Sequence, residues 1–83
     1  MKNEYSMKEI SKNIKTYEVD NNYLVYIIED KDNWHCYLQH KDYGIIMLMF
    51  GLSNKYITLE ALIEIIKNNL AREIKFYKEK YED

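Results

Sequence analysis

The 83-residue chain has no proline, two glycines, one cysteine and one arginine. Each shortage excludes something. A lone Cys36 cannot close an internal disulfide, and a reducing interior suits it. Gly44 and Gly51 flank a single apolar run, so no glycine-rich phosphate loop exists. That run, Ile45 to Phe50, belongs to the longest stretch in the chain with no charge and no polar break. It falls far short of the about 20 residues needed to cross a membrane, so no membrane partner is expected. The start, Met1-Lys2-Asn3-Glu4-Tyr5, lacks the apolar segment of an export signal and points to the cytoplasm. Twelve basic residues face fourteen acidic ones, and residues 1–20 and 55–83 each sum to zero. There is no basic stripe for nucleic acid and no acidic block to imitate it.

What is present is strand-forming. Ile45 to Phe50 suits a strand by its length and its glycine flanks. Alternate residues then face opposite sides, and both sides are apolar. Tyr23 to Glu29 and Trp34 to His40 are two more strands, rich in aromatic and β-branched residues. Asp20-Asn21-Asn22 and Asp30-Lys31-Asp32-Asn33 are turn clusters. Lys41-Asp42-Tyr43-Gly44 predicts a hairpin with Gly44 left-handed. Before the strands, Ser6-Met7-Lys8-Glu9 matches a capping box. With Met7, Ile10 and Ile14 at helical spacing, it predicts a short helix over about 7–13. Thr16, Tyr17 and Val19 predict a weak edge strand after it. Thr58 is an N-cap candidate for a long helix to about Lys80, with the stripe Leu59, Leu62, Ile63, Ile66, Leu70, Ile74, Tyr77 and Tyr81. At roughly 33 Å this helix should overhang strands of some 23 Å, leaving Phe76, Tyr77 and Tyr81 for another partner. The expected fold is α+β: a short N-terminal helix, an antiparallel meander of three or four strands, and a long C-terminal helix on one face.

Turn chemistry then sorts the faces. A left-handed Gly44 pairs Lys41 with Ile45, and a left-handed Asn33 pairs Asp30 with Trp34, which keeps Glu29 away from the tryptophan. One face would hold Leu24, Tyr26, Ile28, Trp34, Cys36, Leu38, Ile46, Leu48 and Phe50 beneath the long helix. The other would present Tyr23, Val25, Ile27, His35, Tyr37, Ile45, Met47 and Met49 as the candidate binding surface, with Gln39 among them. A one-residue slip exchanges the two sets.

Little of the remaining sequence carries chemistry. His35 and Cys36 are neighbours on a strand and face opposite ways. Cys36 and His40 share a face but lie about 13 Å apart, too far for a nucleophile and its base or for a shared ion. Counted from Asp30, a calcium loop would need glycine at His35 and glutamate at Lys41. Glu60, Glu64 and Lys67 form an ordinary solvated helix face. No enzyme, metal or cofactor is expected. Tyr23 and Tyr37 could stack on bases, but their neighbours Glu29, Asp30 and Asp32 are acidic.

Eleven lysines against one arginine, with abundant Ile, Asn and Tyr, is the bias of an AT-rich coding region. It suggests a low-GC bacterium or one of its phages. In size, layout and composition the chain resembles the small phage-encoded inhibitors of host defence, anti-CRISPR proteins among them. The resemblance rests on architecture, with no shared motif; WHCYLQHKDYGIIMLMFG matches no particular member. It implies a non-enzymatic module in a bacterial cytoplasm that occludes a protein surface on a nuclease complex. The near-neutral charge departs from the acidic inhibitors that mimic DNA. The competing reading is a homodimer without a foreign target, paired along Ile45 to Phe50, which carries neither the lysine nor the proline that guards an edge strand.

Overall fold

A computed structural model describes residues 5–82. Five antiparallel strands, β1 (Met7–Ser11), β2 (Lys15–Val19), β3 (Tyr23–Glu29), β4 (Asn33–His40) and β5 (Ile46–Ser53), are followed by one helix, α1 (Leu59–Tyr81). The sheet is a plain meander in the order β1-β2-β3-β4-β5. The α+β class and the C-terminal helix are as expected, but the strands number five and no N-terminal helix is found among the described residues.

The predicted helix at about 7–13 is instead β1 and its turn into β2. Two turns of helix are marginal in water. As a strand the same residues satisfy the outer backbone groups of β2, pairing Met7 with Val19 and Glu9 with Tyr17. The helical spacing of Met7, Ile10 and Ile14 buries nothing in common, because Ile10 and Ile14 are both exposed. The second segment is a strand as expected, but an interior one. Tyr17 and Val19 are core residues, and Asp20 and Asn21 turn the chain at φ 54° and 60°, where short polar side chains are tolerated best after glycine.

α1 is capped at Thr58, whose Oγ1 accepts from the Ala61 N–H at 3.1 Å. Its buried residues are Leu62, Ile66, Leu70, Ile74 and Tyr77, with Leu59, Ile63 and Tyr81 packed at the margin. All eight stripe positions therefore meet the sheet. Burial of each aliphatic side chain contributes roughly 1.5–3 kcal/mol. Tyr77 does not overhang: it is fully buried, edge-on to Tyr23 with centroids 5.9 Å apart, and its hydroxyl donates to the Ile45 carbonyl at 2.6 Å. Only Phe76 of the expected overhang stays half exposed. At the other end the Trp34 indole N–H donates to the Ile57 carbonyl at 2.9 Å and fixes the entry into the helix.

The face beneath α1 holds Tyr17, Val19, Tyr23, Val25, Ile27, Trp34, Cys36, Leu38 and Met47. This corrects the assignment of β3 and of the first half of β5, for two separate reasons. In the β3–β4 turn the Asp30 Oδ1 accepts from the backbone N–H groups of Asp32 (2.9 Å) and Asn33 (2.7 Å), and Asn33 is not left-handed. The resulting loop pairs Glu29, not Asp30, with Trp34. That one-residue shift turns over the whole of β3. Glu29 escapes burial by lying at the sheet's end, where it accepts from Asn54 Nδ2 at 2.8 Å. In β5, Cys36 pairs with Phe50 as expected, but Tyr37 pairs with Leu48, leaving Met49 as the extra residue of a bulge. Beyond it Met47, not Leu48, faces the helix. Gly44 is left-handed as predicted, at φ 72°, but the expected Lys41–Ile45 pairing is not formed: next to the turn Gln39 pairs with Ile46, one residue off that register.

Candidate functional site

Among the described residues, no helix lies on the second face of the sheet. Cross-strand register aligns its side chains in rows: Lys8, Glu18, Leu24, Gln39 and Ile46 in one, Tyr26, Tyr37 and Leu48 in the next, and Ile28 with His35 in the third. Leu24, Tyr26 and Tyr37 are half-buried by their neighbours, whereas Ile28, Ile46 and Leu48 are exposed at 45%, 56% and 57%. Aliphatic side chains left this open around two paired tyrosines give the face an apolar centre.

Several of its polar groups are paired with one another. The Tyr26 hydroxyl donates to Gln39 Oε1. Lys41 and Glu18 form an ion pair over one end, and this contact holds the Glu18 carboxyl below its usual range. At the other end His35 Nε2 meets Asp30 Oδ2 at 2.7 Å. That bond first, and the two backbone N–H groups of the turn second, depress the Asp30 carboxyl. The face thus combines exposed aliphatic side chains and two tyrosines with charges that are paired within the chain.

Of the residues expected on the binding surface, His35, Tyr37 and Gln39 lie on this open face. Tyr23, Val25, Ile27 and Met47 lie beneath α1 and are core. Met49 sits at the bulge, partly buried against the core. Ile45 is exposed just before β5, with its carbonyl taken by Tyr77. Leu24, Tyr26, Ile28, Ile46 and Leu48, assigned from sequence to the helix-covered side, form the open surface instead. The signal that would have found them is the aspartate-led turn at Asp30. The bulge left no mark in the sequence.

The remaining chemical groups are engaged by the fold itself. Burial pushes the Cys36 thiol up to about 12, so little thiolate exists near neutrality. His40 lies between Tyr23, edge-on at 4.9 Å, and Tyr43, stacked at 4.7 Å. The Tyr23 hydroxyl donates to Glu82 Oε2 at 2.5 Å, which ties the end of the helix to β3. Among the described residues, no three His, Cys, Asp or Glu side chains converge as a metal site. No helix among them is long and apolar enough to cross a membrane.

Together these features define a small α+β module: a sheet roofed on one side and bare on the other. No protein-family model, curated protein or solved structure matches the chain.

Proposed function

We propose that the chain is a non-enzymatic protein-binding module and that a foreign protein docks on the open sheet face. The observation that carries this reading is the apolar side of that face, from β3 to the β5 edge, with Ile28, Ile46 and Leu48 each about half exposed or more. Five strands about 4.8 Å apart and some seven residues long give the whole face, polar rows included, roughly 500 Å². The balanced rim favours a partner surface without strong charge over a polyanion. The resemblance in size and layout to phage-encoded inhibitors of host defence supports a bacterial cytoplasmic setting, with steric occlusion of a protein surface as the mode of action.

The test is affinity capture from lysate of a low-GC bacterium, with and without phage defence systems, comparing wild type with Ile28→Lys. Ile28 is exposed, so the variant should fold normally. A protein retained by wild type and lost with Ile28→Lys is the expected result. Identical recovery by both proteins removes the open face from consideration.

A further inference from the structure

The two edges of the sheet differ. The β1 edge is guarded in the usual ways, by Lys8, by Glu9 and by a register shift between Glu9 and Ser11. The β5 edge has eight residues, Ile46–Ser53, and none is charged. Among the described residues β5 pairs only with β4. Its one guard is the bulge at Met49, which bends a strand locally and ends regular pairing. That leaves Ile46-Met47-Leu48 as a short regular edge. The two side chains it turns outward on the open face, Ile46 and Leu48, are the most exposed aliphatic residues of the described chain.

From this we infer that β5 is a self-association edge whose occupant is a second copy of this chain, running antiparallel about a two-fold axis at Met47. The geometry is self-complementary. An antiparallel strand centred on Met47 sets Ile46 opposite the partner's Leu48, and Leu48 opposite the partner's Ile46. Four aliphatic side chains then close over the seam on the open side, the kind of cross-strand pair that stabilises sheets. No like charges meet, because neither strand carries any. The nearby ions of the open face, Glu18 with Lys41 and Asp30 with His35, are already paired within each copy. The union is a ten-stranded sheet with α1 and its copy on one side and a doubled apolar surface on the other. A seam this short lies below the about 1,200 Å² typical of stable complexes, so the dimer forms reversibly with concentration.

Sedimentation equilibrium from about 10 µM to 1 mM tests it. The average mass should rise from the 10.2 kDa of one chain towards twice that. Ile46→Lys, which restores an edge lysine at an exposed position, should stay monomeric throughout with an unchanged far-UV spectrum. Ile28→Lys, on the same face but two strands away, should dimerise like wild type. A wild type monomeric at the highest concentration overturns the inference. So does an Ile46→Lys variant that still dimerises, or a dimer lost with Ile28→Lys, which would mean face-to-face packing. The inference does not rest on foreign docking. A monomer that still captures an Ile28-dependent protein removes only the self-association edge, and a β5 dimer that captures none removes only the docking face.

Discussion

Tyr77 joins three parts of the molecule through one side chain. Its ring fills the core against Tyr23, and its hydroxyl reaches the carbonyl of Ile45. That carbonyl lies where the chain enters β5, so the bond fixes the start of the strand beneath the end of the helix. Tyr77→Phe keeps the ring and removes the donor, leaving the carbonyl without this partner. We expect a loss of about 1 kcal/mol, the net worth of a typical buried hydrogen bond, read as a lower urea midpoint at unchanged slope. An unchanged midpoint would mean that water replaces the hydroxyl and that the ring alone anchors the helix. Asp30 shows the same reach of a single residue. Its carboxylate accepts two backbone N–H groups and so sets where β4 starts relative to β3. The decision between two sheet faces, spread over seven residues of β3, is made by one aspartate.

Among the elements, α1 was the most legible and β1 the least. Every predicted stripe residue of α1 meets the sheet, because a 3.6-residue period sustained over six turns has no competing explanation. The five residues of β1 carry two charges and no alternation. What makes them a strand is the unpaired side of β2, a tertiary fact that no local pattern encodes. The strands β3, β4 and β5 were legible as strands, whereas their mutual register was not, because it depends on the Asp30 turn and the Met49 bulge. Two neighbouring substitutions test the bulge directly. Met47 is buried and Leu48 is exposed, so Met47→Lys drives an ammonium into the core while Leu48→Lys points one at water. We expect Met47→Lys to cost about 3 kcal/mol or more, as unpaired buried charges do, and Leu48→Lys to stay within about 0.5 kcal/mol of wild type. Urea melts followed by circular dichroism separate the two. Equal losses, or the reverse order, would restore the unbulged register in which Leu48 faces the helix.

For the whole molecule, the governing fact is that a five-stranded sheet has two faces and the described residues form one helix. The core lies entirely between α1 and the sheet, and the open face is held in shape by its own side chains. Its charged pairs are one means of doing so: Glu18–Lys41 links β2 to the end of β4, and Asp30–His35 closes the β3–β4 turn. Both carboxyls are depressed in the folded chain, Glu18 chiefly by its hydrogen bond from Lys41 and Asp30 chiefly by its bond to His35. A depressed carboxyl stabilises the fold above its unfolded value, here 4.5 for glutamate and 3.8 for aspartate. That contribution is lost as pH falls through the lower folded value. The melting temperature should therefore hold nearly level from pH 7 to about 5 and fall below about 4. Lys41→Ala removes the main partner of Glu18 and His35→Ala that of Asp30, which keeps its two backbone N–H donors, so the double variant should show a shallower acid decline at some cost in stability near neutrality. Thermal melts across the pH series decide it. If wild type and double variant decline in parallel, the open face is held by its apolar side chains and backbone pairing, and its ion pairs serve only to keep its rim neutral.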